Sequence, residues 1–182
     1  MNGIRDILGF AARTGLPMGL YLTLIAGCFF GSLYIDFLSI TSLLLFGGLP
    51  VLLYYLLKPL TTGEKPAKAA ALWLAGIYCF LFGALIAGLA SAIFLIFIEP
   101  GFMTMYLRQY LDTVDALPDP SIVAEQRAMV EQIIERKMVP TAMETVSSII
   151  WTIGFFGSIL SGIMALFMSR MSRRKTGSRV VE

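Results

Sequence analysis

The chain alternates four long apolar stretches with shorter polar ones. The apolar stretches cover about residues 14–35, 37–57, 69–98 and 146–168, and none of them contains a charged residue. The hydrocarbon core of a bilayer is about 30 Å thick and requires roughly 20 apolar residues in each spanning helix. The pattern therefore predicts an all-α fold, in which four transmembrane helices form a single integral membrane domain over residues 1–182.

Residues 99–144 are the one long polar segment, and they lie between the third and fourth spans. Apolar residues recur in this segment at intervals of three and four, which is typical of amphipathic helices. The pattern breaks at Pro118, and Asp119 is placed to cap a second helix that has Pro120 in its first position. We therefore predict a helical hairpin outside the bilayer.

The apolar stripes of this hairpin indicate a docking surface. Two helices of this size cannot bury enough apolar surface to be stable alone. Their stripes must rest on each other and on the membrane surface, the third span or a partner. The candidate partner surface consists of Phe102, Tyr106, Tyr110, Val114, Val130, Ile133, Ile134 and Met138.

Small residues recur at every fourth position in three of the spans. Residues four apart share a helix face, and a face of small residues lets two helices approach closely in lipid. We expect these rows to pack within the chain, the row of the third span against that of the first, with a second protein as the alternative. The helix-packing rows are Gly15, Gly19, Thr23, Gly27 and Gly31 in the first span, Ala84, Gly88 and Ala92 in the third, and Gly154, Ser158 and Gly162 in the fourth.

Prolines and one acidic residue predict local features of the first two spans. Pro17 is expected in the first turn of the first helix, where its missing N–H costs little. In the second span, Pro50 follows Gly47 and Gly48 and predicts a kink. Asp36, in the short turn between the two spans, is expected to cap the second helix.

The charges are sorted along the chain. Charged residues make up 14% of the sequence, against about 25% in soluble proteins. Ten of the 14 bases flank the spans on one side of the four-span layout, whereas the 99–144 segment has eight acids against four bases, a net charge of −4 in a chain of +2. The positive-inside rule then places both termini, including the basic tail of residues 169–182, in the cytoplasm and the hairpin on the opposite face.

The sequence predicts no catalytic, cofactor-binding or metal site. It contains no histidine, and its two cysteines, Cys28 and Cys79, lie within spans without the spacing of a metal site. No ionisable residue lies inside a span, where proton relays and ion-coupled carriers usually have one. An enzyme that works through the carboxylates of Glu99, Asp112 or Glu144 remains an alternative.

The order of these features is similar to that of a known family. The third span ends in LIAGLASAIFLIFIEPGF, residues 85–102, and an acidic helical segment and a glycine- and serine-rich last span with a basic tail follow. The chain resembles DUF4199, a bacterial family of membrane proteins of unknown function. The most specific part is residues 91–102, where an aromatic-rich helix end runs into an acid-Pro-Gly-Phe turn. The resemblance implies a location in the bacterial inner membrane and supplies no activity or catalytic residue.

These observations predict a non-enzymatic accessory or scaffold subunit of the inner membrane. It would bind another membrane protein, or a second copy of itself, through the hairpin and the small-residue faces. The lipid bilayer is the partner that the pattern requires, and no nucleic acid is expected. The alternative is a small lipid or solute transporter or channel component, which the break at Gly47–Pro50 suggests.

Overall fold

The computed structural model describes residues 4–62, 67–115, 118, 120–136 and 138–178. Across these residues the chain is helical and contains no strand. The predicted N-cap residue Asp119 lies outside the described residues. The described residues form six α-helices, which are α1 (Ile4–Gly31), α2 (Phe37–Leu57), α3 (Ala69–Ile93), α4 (Phe102–Asp115), α5 (Pro120–Glu135) and α6 (Ala142–Ser178). A 3₁₀ turn at Lys58–Leu60 extends α2, and a π-helical turn at Phe94–Ile98 extends α3.

Four of the helical segments are long and apolar enough to cross a membrane. They are Ile7–Gly31, Phe37–Leu60, Ala69–Ile98 and Ala142–Met171. The prediction of an all-α bundle of four spanning helices with a helical hairpin between the last two is therefore confirmed. Many large apolar side chains on these helices are exposed, as a lipid-facing surface requires.

α3 is the central helix of the bundle. It packs against α1 on one side and α6 on another, while α2 packs mainly against α1. The close approaches between α1 and α3 pair Gly15 with Phe82 and Gly19 with Ile86, so these two helices run parallel. α6 runs antiparallel to α3, since Gly76 meets Ser161 whereas Gly88 meets Ile150.

The core has two parts, and α2 contributes to only one of them. The larger part contains Leu49, Leu53 and Leu57 of α2 together with residues of α1, α3 and α6. The smaller part lies at the end of the bundle that carries the hairpin, and in the described residues it includes α4 but no residue of α2. Its buried members, which we call the hairpin-end cluster, are Phe30, Leu95, Phe102 and Val146.

Most residues in the first half of α2 are exposed or half-buried, because this half lies outside both parts of the core. Tyr21 of α1 contacts the middle of α2. The Tyr21 hydroxyl donates a hydrogen bond of 2.7 Å to the carbonyl of Leu45. It also lies where a Cβ at Gly48 would be, so a larger residue at this position would displace the Tyr21 hydroxyl. Pro50 lies inside α2, which continues to Leu57.

Two local predictions for the first spans were wrong. α1 begins at Ile4, which places Pro17 inside the helix and not in its first turn. The residues before the apolar stretch continue the same helix because Ile7 and Ala11 are buried on its inner face. Asp36 precedes α2, as expected for a cap, but its side chain makes no capping hydrogen bond.

Candidate docking surface at the hairpin

The hairpin is attached to the bundle through a tight turn after α3. The backbone N–H of Glu99 donates to the carbonyl of Phe94 at 2.9 Å, and that of Phe102 donates to the carbonyl of Glu99 at 3.1 Å. The acid-Pro-Gly-Phe sequence thereby ends the π-helical turn and starts α4 within three residues. The geometry of this turn brings Phe102 back onto the bundle.

Phe102 is an anchor and not an accessible part of the surface. Only 1% of it is exposed. Its ring lies edge-on to those of Phe30, at a centroid distance of 5.0 Å, and Phe94, at 5.8 Å. Phe30 and Phe94 are themselves stacked at 4.7 Å. Edge-to-face and offset-stacked rings are favourable geometries for aromatic pairs, so the first turn of α4 is fixed to α1 and α3.

Tyr106 continues this contact one turn further along α4. Its ring centroid lies 5.9 Å from that of Phe29 and 6.3 Å from that of Phe102. One side of the ring therefore rests on the end of α1, and the residue remains 37% exposed.

A hydrogen bond joins the turn between α1 and α2 to the turn after α3 at this end of the bundle. The Tyr34 hydroxyl, in the turn between α1 and α2, donates to Glu99 Oε2 at 2.9 Å. The hydrogen bond to Glu99 raises the pKa of Tyr34, with smaller contributions from burial and from the carboxylate charge. The phenol is therefore held in its neutral, donating form.

The two helices of the hairpin pack on each other. Each buries one valine, Val114 of α4 and Val130 of α5. Polar contacts flank them: the Tyr110 hydroxyl donates to Gln126 Oε1 at 3.2 Å. Arg127 of α5 reaches across to pair with Asp115 of α4 and also lies near Glu131, as the two salt-bridge distances of 2.7 and 3.7 Å show.

One edge of the hairpin remains uncovered. α5 packs chiefly against α4 and leaves Met129 53% exposed and Met138 54% exposed. Ile133 and Ile134 are half-buried, and Tyr110 is exposed. Met129 was not among the residues predicted for this surface, although its spacing of four from Ile133 indicated a shared face.

The start of α6 contains a capping motif that the sequence analysis also missed. The Thr141 backbone N–H donates to Glu144 Oε2 at 2.8 Å, and the Thr141 hydroxyl donates to the same oxygen at 2.9 Å. The Glu144 N–H donates back to the Thr141 hydroxyl oxygen at 3.3 Å. The signal was the Thr-x-x-Glu spacing of a capping box. Glu144 therefore has a structural role at the end of the hairpin.

One family model covers most of this chain. The family described as Protein of unknown function (DUF4199) matches residues 13–170, which include α2 to α5 and most of α1 and α6. The chain belongs to this family. No curated protein and no solved structure gives a significant match.

The small-residue row of α1 in this DUF4199 protein meets more than one neighbour. Gly15 and Gly19 face α3, where an added Cβ would lie 2.5 Å from Phe82 Cβ and 2.7 Å from Ile86 Cβ respectively. The Thr23 hydroxyl donates to the carbonyl of Gly19 in its own helix at 2.8 Å. The two remaining glycines are Gly27, which has no neighbour within 4 Å of an added Cβ, and Gly31, which meets Leu38 of α2.

Gly88, in the row of α3, faces α6 and not α1. A Cβ at Gly88 would lie 2.7 Å from Ile150 Cδ1 of α6. Ala84 is buried, and Ala92 packs against the hairpin-end cluster. The position of α3 that receives α1 is Gly83, which was not in the predicted row. Residues spaced four apart define one face of a helix, but the spacing does not indicate which neighbouring helix covers that face.

The row of α6 is open at one end. A Cβ at Gly154 would have no neighbour within 4 Å. The Ser158 carbonyl accepts a hydrogen bond of 3.1 Å from Trp73 Nε1, and the same nitrogen lies 3.5 Å from an added Cβ at Gly162. Closer contacts between α3 and α6 occur at Gly157, which meets Phe80.

The described residues offer little reactive chemistry. They contain no group of three or more histidine, cysteine or acidic side chains that could hold a metal ion. Cys28 and Cys79 are buried free thiols. The buried polar side chains in this part of the chain are Ser91 and Ser161, and neither hydroxyl has a hydrogen-bond partner.

Proposed function

We propose that this DUF4199 protein is a non-enzymatic membrane subunit that docks a membrane protein, or a second copy of itself, through the free edge of its α4–α5 hairpin. The observation that carries the proposal is the asymmetry of the hairpin. Phe102 fixes α4 to the bundle, while α5 packs chiefly on α4 and leaves Met129 and Met138 half-exposed.

This asymmetry suits a docking element. A surface that is fixed before binding loses less conformational freedom on association than a mobile one. Methionine is enriched at protein interfaces, and its flexible side chain adapts to the shape of a partner. Because α4 is anchored to the bundle, it would hold the free edge of the hairpin, which includes Met129, at a constant position relative to the membrane.

We further propose that the protein resides in the bacterial inner membrane with both termini in the cytoplasm. The distribution of the bases supports this orientation, since ten of 14 flank the spans on the side of the termini. The hairpin would then face away from the cytoplasm.

The transporter alternative gains no support from the described cavities. A groove of about 330 Å³ opens on the surface of α2 and not between helices; it is lined by Ser39, Ile40, Ser42, Leu43 and Phe46. Among the described residues, the buried side chains between the helices are apolar apart from Ser91 and Ser161, and we therefore do not propose transport.

Photo-crosslinking from neighbouring positions on α5 tests the docking proposal. A benzophenone amino acid replaces Met129 or Ile133 on the free edge, and Ala124 or Ala128 serves as the matched control on an exposed side of the helix that is turned away from this edge. In intact membranes, we expect a discrete protein adduct from the edge positions and little from the controls.

The proposal requires that the edge positions and the control positions give different adducts. An adduct of about twice the mass of the chain would identify a second copy, and another mass would identify a different protein. If the edge positions give no adduct, or the same adducts as the controls, the hairpin is not a docking element.

A further inference from the structure

The end of the bundle opposite the hairpin is stepped, because charged residues begin at different heights on its helices. The Cys79 thiol donates to the Thr14 carbonyl at 3.5 Å, so Arg13 of α1 lies beside this part of α3. Lys68, the N-cap residue of α3, stands eleven residues before Cys79, and no charged residue lies between them. At a rise of about 1.5 Å per residue, Arg13 and Lys68 are about 16 Å apart along the helix axes.

α2 reaches its first basic residue at nearly the height of Arg13. Leu38 of α2 lies against Gly31 of α1, and the two helices run antiparallel. Lys58 stands twenty residues after Leu38, and Arg13 stands eighteen residues before Gly31. The charge-free parts of α1 and α2 therefore end together.

α6, in contrast, extends as far as α3. Gly157 lies against Phe80, and Ser161 lies against Gly76, so the part of α6 that follows Gly157 runs beside the first turns of α3. No charged residue occurs in this part before Arg170. α3 and α6 together therefore continue beyond the charge-free parts of α1 and α2.

The continuation exposes large apolar side chains. The exposed fractions are 45% for Trp73, 60% for Ile163, 59% for Leu166 and 55% for Phe167. We call these four residues the apolar extension. A surface of this kind is unfavourable in water and marks a contact with lipid or with another protein.

We propose that lipid acyl chains cover the apolar extension, so that the bilayer reaches further along α3 and α6 than along α1 and α2. The exposed face of α6 supports this occupant, because residues spaced four apart share one helix face. The face continues without interruption from the middle of the span into the extension through Trp151, Phe155, Ile159, Ile163 and Phe167. The lipid-facing surface of α6 therefore has no boundary at the height of Arg13.

Basic residues stand at both heights, as expected where lipid headgroups begin. On α1, the exposed Arg13 is followed within one turn by Leu16, which is exposed to lipid. Lys68 and Arg170 are exposed at the far end of the extension. This end of the chain has ten bases against three acids, which are Asp6, Glu64 and Glu182. Bases at two heights match a headgroup surface that changes its height around the protein.

Neither a tilt of the bundle nor the length of a side chain removes the step. The hairpin ends of α1, α3 and α6 meet in the hairpin-end cluster, and the Tyr34 hydroxyl donates to Glu99 at 2.9 Å. A tilt that brought Arg13 and Lys68 to one depth would displace these level ends by the same distance. Long basic side chains reach toward the headgroups, but an arginine side chain is less than half as long as the step. Bilayers adapt to such a mismatch by local thinning or thickening.

Quenching of tryptophan by brominated lipid tests the proposal. The chain contains two tryptophans, Trp73 and Trp151, so Trp151→Phe leaves a single reporter on the extension. The full chain is placed in vesicles of phosphatidylcholine that carries bromine on its acyl chains near the headgroup. We expect Trp73 to lose most of its fluorescence relative to vesicles of unbrominated lipid. Phe167→Trp, with both native tryptophans replaced by phenylalanine, should behave in the same way.

Two positions on one face of α1 supply the matched controls, each in the chain without native tryptophan. Gly9→Trp lies at nearly the height of Trp73, since Gly9 is five residues before Thr14 and Trp73 is six before Cys79. Gly9 is exposed and has no atom within 4 Å of an added Cβ, so the side chain fits there. We expect bromine to leave Gly9→Trp largely unquenched and acrylamide, a water-soluble quencher, to reach it. Leu16→Trp, on the other side of Arg13, should be quenched by bromine.

Two results would overturn the inference. Equal bromine quenching of Trp73 and Gly9→Trp would mean that the bilayer ends at one height on all helices. Loss of bromine quenching at both Trp73 and Phe167→Trp, with Leu16→Trp still quenched, would mean that the bilayer ends at Arg13 and that water or another protein covers the extension. Neither result bears on docking at the hairpin, which lies at the opposite end of the bundle.

Discussion

The α1–α3 interface and the α4–α5 interface join pairs of helices with different side chains. α1 meets α3 through glycine, and a Cβ added at Gly83 would lie 3.2 Å from the backbone nitrogen of Gly19. α4 meets α5 through Val114 and Val130, with an ion pair and a tyrosine–glutamine hydrogen bond beside them. The first interface brings two backbones close together, whereas in the second each helix buries one valine side chain.

The difference follows from the solvent that each pair displaces. Lipid tails are as apolar as leucine, so helices in lipid gain little from expelling them and associate through close packing. In water, burial of an apolar side chain is itself favourable. The hairpin can therefore be held by a few buried residues, whereas the spanning helices depend more on positions where glycine lets a neighbouring helix approach closely.

Removal of the Phe102 anchor should produce the largest effect. Phe102→Ala deletes a buried ring between Phe30 and Phe94, and such truncations cost about 3–5 kcal/mol. Because the ring joins the hairpin to the bundle, we expect α4 and α5 to lose protection from hydrogen exchange while α1 and α3 keep theirs. The measurement is hydrogen exchange of the protein in nanodiscs.

Phe97→Ala is the matched control for this variant. Phe97 lies five residues earlier in the π-helical turn and is 77% exposed, so its removal should leave exchange in the hairpin unchanged. If Phe102→Ala also leaves the hairpin protected, other contacts hold the hairpin and Phe102 is not its anchor.

A second prediction contrasts two glycine-to-alanine changes in the spanning helices. Gly83→Ala would place a methyl group 2.8 Å from Met18 Cγ and against the backbone of α1, and overpacking of this kind costs about 1–3 kcal/mol. Gly27→Ala meets no atom within 4 Å and should be neutral or stabilising by up to about 1 kcal/mol, since alanine favours helix.

The two variants are therefore expected to differ: Gly83→Ala should lower the free energy of unfolding, and Gly27→Ala should leave it unchanged or raise it. Unfolding of each variant in mixed detergent micelles gives the change in the free energy of unfolding. Equal destabilisation by both would mean that glycine is needed along all of α1 and α3 for a reason other than close approach.

The fold was predictable from the sequence, whereas the neighbours of most residues were not. Charge-free stretches of about 20 residues have few structural solutions besides a spanning helix. The small-residue row of α1 was equally visible, yet Gly15 faces α3 and Gly27 faces no helix. The periodicity along one helix contains no information about where the next helix lies.

The hairpin also shows that a sequence pattern does not identify the neighbours of a residue. Phe102 and Met138 belong to one apolar pattern, but Phe102 is an anchor and Met138 is half-exposed. The turn at Glu99–Gly101 decides which residues return to the bundle, and its direction depends on rings in α1 that are distant in sequence. The Thr141–Glu144 capping box, by contrast, is a local motif that the sequence does contain.

The smallest predicted effect concerns the polar contact between Tyr34 and Glu99. The fold raises the pKa of Tyr34 because its hydroxyl donates to the Glu99 carboxylate. The contribution of this contact to stability is therefore fully present below the ordinary tyrosine pKa of about 10, and it is lost as the pH rises through the raised value. The difference in tyrosinate absorbance between the unchanged protein and Tyr34→Phe, both in nanodiscs, isolates this group and should show that it titrates above the ordinary tyrosine pKa. Glu99→Gln should return that group toward the ordinary pKa, and Tyr55→Phe, which removes an exposed tyrosine of α2, should leave it in place. If Glu99→Gln does not change the titration, the hydrogen bond between the two turns does not form in the membrane, and the aromatic rings alone join the hairpin to the bundle.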